Sequence, residues 1–143
     1  MEVRYSPDKN GFEMMTTEEL RASFLIDLFQ GKTIQLVYSD IDPSICGSAV
    51  PIEDPLPLKA SMKELAAEYF LQRRELGIIN IGFKGFIKVD GKDYPMDNKD
   101  ALYIGRGAQE IVFHSENIKK PARFYLLSYP AHTDYPTKHA AFS

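Results

Sequence analysis

Apolar and polar positions alternate in short runs along this chain, and the runs are densest between Tyr69 and Phe113. There, apolar stretches are broken by Gly77, Gly82, Gly85, Gly91, Gly105 and Gly107. Punctuation at such short intervals predicts a β-sandwich or barrel. Asp90-Gly91 is the sharpest local signal, because both central residues of a type I′ turn need positive φ and this pair supplies it cheaply. Ile87 and Val89 precede the turn on one face and Tyr94 follows it, so a hairpin is predicted.

Taken in order, residues 1–15 read as polar and irregular, with Pro7 and an Asn10-Gly11 turn. Thr16 and Glu19 stand in capping-box spacing, and Leu20, Phe24 and Leu28 recur every four residues, predicting a short helix. Beyond Phe24 the pattern suits a strand equally well, and the boundary stays open. Residues 33–39 read as a strand, 40–43 as a turn and 45–52 as a second strand. Pro51, Pro55 and Pro57 then break the sheet pattern and predict a surface loop over 53–59. Ser61 with Glu64 forms a second capping box, opening a helix to Ala67. Strands are predicted near 68–74, 77–82, 85–89, 92–95, 101–104, 109–114 and 122–129. The fold class is therefore all-β, with one or two short helices. Residues 1–130 form one barrel-like domain, and the proline-bounded residues 131–143 form a linker or tail.

A chain of 143 residues suits one domain and buries about 70% of its unfolded surface. Seventeen basic residues against 20 acidic give a net charge of −3, so no basic groove calls for nucleic acid. Eight Tyr and nine Phe leave aromatic surface that suits a sugar better than a base. Cys46 is the single cysteine, which excludes an internal disulfide and a thiolate metal cluster. The N-terminus has no signal-peptide core and no apolar run is long enough to span a membrane, so a cytoplasmic location and no membrane partner are expected.

Motifs of catalysis are scarce. There is no phosphate-binding Gly-Lys-Ser/Thr loop and no Gly-x-Ser-x-Gly elbow, and the glycines lie in hairpins rather than at a strand-to-helix turn. His114, His132 and His139 are too far apart in sequence for local metal-ligand spacing. His114 ends a predicted strand and reads as an edge or core residue, whereas His132 and His139 sit in the tail. One constellation stands out. Tyr69, Leu71, Arg73 and Glu75 would share one strand face, placing an arginine at a barrel mouth. There it could hold a substrate carboxylate in bidentate fashion, or simply close a salt bridge at a strand end.

Glu75, six residues, then Gly82 resembles the second half of the first motif of cupins, small jelly-roll barrels. Asp100-x-x-Tyr103-Ile104-x-x-Gly107 resembles their second motif. In a metal-binding cupin two histidines precede that glutamate, and a third follows the glycine by three. Here the first two places fall among Tyr69 to Gln72 and the third on Glu110. Longer strings extend the likeness: 68–82, 100–110, 130–138, Val37-Tyr38-Ser39 and the Met1-Glu-Val-Arg start. They resemble the N-terminal half of the 4-deoxy-L-threo-5-hexosulose-uronate ketol-isomerase family.

That resemblance implies an aldose–ketose isomerase acting on 5-dehydro-4-deoxy-D-glucuronate, a uronate sugar of pectin breakdown, and giving 3-deoxy-D-glycero-2,5-hexodiulosonate. It implies two cupin-like barrels, zinc held by histidines and a glutamate of the second, and a cytoplasmic homo-oligomer, a hexamer. Zinc would polarise the carbonyl during enediol formation or hydride shift. The resemblance carries no metal ligand onto this chain and assigns no catalytic residue in it. The expected substrate contacts are Arg73, Glu75, His132, Tyr135 and Lys138, the last three in a tail that either crosses to the second barrel or hangs free. The alternative is a metal-free cupin for assembly or sugar binding, with no chemistry of its own.

Overall fold

The alternating pattern resolves into two stacked sheets in the computed structural model, which describes residues 1–60 and 62–143. In chain order the elements are β1 (Glu2–Arg4), α1 (Lys9–Glu13), α2 (Thr17–Phe24), β2 (Ile34–Ser39), β3 (Ser44–Ala49), β4 (Leu56–Pro57) and α3 (Met62–Leu65). They continue as β5 (Arg74–Asn80), β6 (Gly85–Val89), β7 (Lys92–Met96), β8 (Ala101–Ile104), β9 (Ile111–Ser115), β10 (Phe124–Pro130) and β11 (Lys138–Ala140). The larger sheet runs β1-β2-β3-β10-β5-β8-β11 and the smaller β4-β9-β6-β7. All pairs are antiparallel except β1 with β2. Among the described residues the two sheets share no strand, so the expected barrel is an open double sheet rather than a closed cylinder.

The hairpin at Asp90-Gly91 is a type I′ turn, with φ of 48° and 84° and Val89 paired with Lys92. The Asp90 carboxylate has a second task, accepting the Gln109 and Glu110 amides at 3.0 and 2.8 Å and so holding the start of β9. The Thr16 capping box forms on both sides and opens α2. The Ser61 capping box lies outside the described residues. Three short helices are described rather than one or two. The extra one, α1, arises in the stretch read as irregular, where Asp8 caps the Gly11 amide at 2.6 Å. Likewise β4 forms within the expected 53–59 loop, pairing with β9.

The largest departure lies at 68–74. No strand forms there; the chain turns until Arg74, and β5 then runs as one strand to Asn80. The inward residues of β5 are Arg74, Leu76, Ile78 and Asn80, while Glu75, Gly77 and Ile79 face outward. The expected shared face of Tyr69, Leu71, Arg73 and Glu75 therefore does not exist. Phe70 and Leu71 instead turn inward, at 3% and 0% exposure, because an apolar pair at the end of a sandwich gains more from burial than from edge pairing.

Between the sheets lies one apolar layer. Leu76, Ile78, Leu102, Ile104, Phe124 and Leu126 of the large sheet pack on Ile87, Met96, Ile111 and Phe113 of the small one. Phe113 and Phe124 meet across the layer at 5.4 Å between ring centroids. Asn80, fully buried, ties the layers together at one end. Its Nδ2 donates to the Phe83 and Met96 carbonyls at 2.8 and 3.0 Å. Its Oδ1 accepts the Gly82 and Arg123 amides at 3.0 and 3.2 Å.

The segment expected as a linker folds back on the domain. Its β11 pairs with β8, setting Lys138 opposite Tyr103 and Ala140 opposite Ala101. Upstream, Arg106 grips Asp134 at 2.6 Å and the Ala131 carbonyl at 3.1 Å. A Cβ on Gly105 would collide with the Tyr135 carbonyl, so only glycine lets the strap pass there. Downstream, buried Asp100 accepts the Phe142 amide at 2.9 Å and lies 3.2 Å from His139 Nε2. Burial would push this carboxyl up. Hydrogen bonds from the Phe142 and Asp97 amides and from His139 outweigh burial and hold it below its usual value.

Two stability measurements follow from the turn and the buried amide. Gly91→Val meets no steric obstacle, since nothing lies within 4 Å of a Cβ there, so its cost is conformational, about 1 kcal/mol or more. Asn80→Ala leaves buried donors and acceptors unpaired and should cost at least about 3 kcal/mol. Denaturant melts ranking Asn80→Ala milder than Gly91→Val would contradict this order.

A third measurement concerns the strap. The depressed carboxyl makes a contribution that is complete above the ordinary aspartate value, about pH 4, and is lost as pH falls through the folded value. The gap in melting temperature between wild type and Asp100→Asn should therefore be open at neutral pH and close below about pH 4. A gap that stays constant into acid would remove Asp100 as the strap's anchor.

Candidate functional site

An antiparallel sheet with one solvated face normally shows polar residues outward. The large sheet departs from this at its centre. The outward positions are Gly77 and Ile79 on β5, Ala101 and Tyr103 on β8, and Tyr125 and Leu127 on β10. The strap stands along one side and adds Tyr135, Pro136, Lys138 and Ala140. Together these residues line an open groove of about 570 Å³. Ile79 is 44% exposed within it.

The polar chemistry of the groove centres on Tyr103. Its hydroxyl donates to Glu75 Oε2 at 2.7 Å. Burial, then the hydrogen bond and charge of Glu75, pushes the Tyr103 hydroxyl up to about 12. Tyr103 thus stays protonated through the physiological range and acts as a donor, not a base. Lys138 faces Tyr103 across the β8–β11 pair.

Of the residues expected to touch substrate, Tyr135 and Lys138 line the groove, and Glu75 reaches it through Tyr103. Arg73 is exposed ahead of β5 and borders a separate hollow with Leu65, Ala67, Phe70 and Pro130. Its neighbour Arg74 is the buried arginine, donating to Ser128 Oγ, the Ser128 carbonyl and the Pro43 carbonyl at 3.1, 2.9 and 2.6 Å. Burial lowers the Arg74 pKa. That guanidinium is occupied by protein groups rather than presented to a ligand carboxylate. His132 lies exposed in the bend after β10. His114 is neither core nor edge. It stacks on Phe86 at 4.2 Å and 6° on the outer face of the small sheet, where burial and then Lys88 lower its pKa.

The sequence reading missed Ile79, Tyr103, Tyr125 and Leu127 as groove residues. The signal was present in the unbroken apolar runs Ile78-Ile79 and Tyr125-Leu126-Leu127, where a one-sided sheet would alternate.

Among the described residues the interior is lined by apolar side chains rather than by metal-ligand types. The stretch Tyr69 to Gln72, where the first two cupin histidines would fall, buries Phe70 and Leu71 in the core and leaves Tyr69 and Gln72 half-buried, and the third place holds exposed Glu110, whose amide donates to Asp90. Among the described residues no three His, Cys, Asp or Glu side chains come together. Zinc needs such a nitrogen, sulfur or carboxylate set, and the residues present do not fit it.

Comparison with known proteins bears on both fold and descent. No protein-family model matches the chain. The double sheet superposes on a cupin protein from Bacteroides fragilis with a TM-score of 0.54 at 15% identity, covering 77% of this chain and 86% of that one. An RmlC-like cupin from Desulfovibrio desulfuricans superposes with a TM-score of 0.51 at 13% identity, covering 75% and 93%. At such identities the likeness is one of fold alone, and the fold is cupin-like.

Sequence relatives are much nearer. A 4-deoxy-L-threo-5-hexosulose-uronate ketol-isomerase of Lachnoclostridium phytofermentans is 54% identical over 138 residues, 96% of this chain and 50% of that protein. Proteins of the same name from Formosa agariphila and Halalkalibacterium halodurans are 51% and 47% identical over 96% of the chain. The chain spans about half the length of the curated relatives it matches. By sequence and by fold, this chain is a cupin-like homologue of the N-terminal half of the 4-deoxy-L-threo-5-hexosulose-uronate ketol-isomerases.

Proposed function

We propose that this chain is the N-terminal domain of a ketol-isomerase that converts 5-dehydro-4-deoxy-D-glucuronate into 3-deoxy-D-glycero-2,5-hexodiulosonate in the breakdown of unsaturated uronates from pectin. The observation that carries the reading is identity of 54% maintained along 96% of the chain. On this reading the whole enzyme is a cytoplasmic homo-hexamer. Its zinc sits in the second half, since the interior of this half is filled by apolar side chains. The carbonyl shift and its proton transfer then take place in the second half. This half contributes Tyr135, Lys138 and the Tyr103–Glu75 pair, with Arg73 and His132 as exposed candidates outside the groove.

A second reading is favoured by the groove itself. A cupin with an apolar outer face and a solid interior suits assembly, with no chemistry of its own. One assay separates the two. The chain alone, and the chain joined to the second half of the L. phytofermentans relative, are each given the uronate and followed for product. The joined protein should turn over and hold zinc, and the chain alone should do neither. Turnover by the chain alone in the presence of a chelator, or tightly held zinc in it, would place the chemistry here instead.

A further inference from the structure

The outer face of the large sheet is covered unevenly. Over β2 and β3 the segment that follows α2 lies close. The Asp27 carbonyl accepts from Gln35 Nε2 at 3.1 Å, and the Phe29 amide donates to Ser48 Oγ at 2.9 Å. Val37 is left only 5% exposed beneath it. At the opposite side the strap closes the edge of β8. Between these two covers, β5 and β10 present Ile79 and Leu127 to the open groove.

We propose that this groove is the docking face for the second half of the ketol-isomerase polypeptide; the inference rests on the function proposed above. Three observations select that occupant. First, the lining is mostly apolar and so suits a protein face more than a complete sugar-acid site. The half-buried Tyr103 hydroxyl is already engaged by Glu75, and a small polar ligand needs several convergent polar groups. Second, the curated relatives extend through another half beyond the part matched here. Third, the strap delivers the chain to this place. Ala140 lines the groove beside Ala101, and the Phe142 amide is pinned to Asp100 at the head of β8. A domain continuing from there starts at the rim of the groove. Tethering of that kind raises its effective concentration to about the millimolar range, ahead of a free second copy.

The strap acquires a role in this arrangement. It forms one wall of the groove and fixes the point at which the following domain begins. Asp100, Gly105 and Arg106 act as positioning residues for that wall.

The test is thiol labelling in a Cys46→Ser background, comparing the chain alone with the chain joined to the second half of the L. phytofermentans relative. Ile79→Cys and Leu127→Cys report the groove, each sufficient should the other fail to fold. Val112→Cys, outward on β9, reports the small sheet. Maleimide labelling in the groove should slow about tenfold or more on joining, as removal of a side chain from solvent requires, with little change at Val112→Cys. Undiminished groove labelling in a joined protein that isomerises the uronate would overturn the docking face and leave the proposed function intact. Protection in a joined protein without activity would keep the docking face and sink the catalytic reading. Protection that grows with the concentration of the chain alone would assign the groove to a second copy and overturn the proposal.

Discussion

The four hydrogen bonds of the Asn80 side chain set the relation of the two sheets. A fully buried amide left unpaired costs about 1–3 kcal/mol for each group, so the chain must bring two carbonyls and two amides to it. Those groups come from the turn after β5, the end of β7 and the start of β10. The backbone of Asn80 adds the pair with Lys99 and Asp100, at 2.7 and 3.0 Å, which sets the head of β8. Strand ends of both sheets are thus referred to one side chain. The strap depends on the same point, because its anchor Asp100 is held there.

With the sheets fixed in this way, the space between them is closed to chemistry. Bulky apolar side chains meet from both faces, and Phe70 and Leu71 seal one end, within the stretch Tyr69 to Gln72 where the resemblance would place cupin histidines. Burial of these groups stabilises the fold by about 25 cal/mol per Å², and a hydrated metal site would replace part of that packing with polar ligands. The described interior keeps polar groups only where each is paired: Arg74 with Ser128 and Pro43, Asp100 with the strap, Asn80 with its four partners. The polar groups beside the groove, Tyr103, Glu75 and Lys138, belong to the outer face.

That surface is asymmetric for a reason found in the strands themselves. Ile78-Ile79 of β5 and Tyr125-Leu126-Leu127 of β10 place apolar side chains on both faces, which is the habit of strands covered on both sides. One covering is the core, and the N-terminal segment and the strap supply part of the other. The groove between them is left as open apolar surface. The strap's polar clamps, Arg106 to Asp134 and Asp100 to Phe142, hold its wall at the rim.

Much of this was legible in the order of residues. Glycine and proline spacing gave the strands from β6 to β10, and Asp90-Gly91 gave the type I′ hairpin, because these signals act over a few residues and need no partner. Long shared strings gave the family likeness for the same local reason. The strand expected at 68–74 failed because alternation cannot tell a paired strand from a turn that buries Phe70 and Leu71. The short β1, β4 and β11 were invisible, since two or three residues carry no period and form only when a neighbouring strand offers its edge. The groove was likewise undecided by sequence. Whether an apolar outward residue such as Ile79 or Leu127 is covered depends on where distant segments come to lie. That placement is fixed by contacts between residues far apart in the chain, Asp100 with Phe142 and Gln35 with Asp27 among them. Only the tertiary structure decided those.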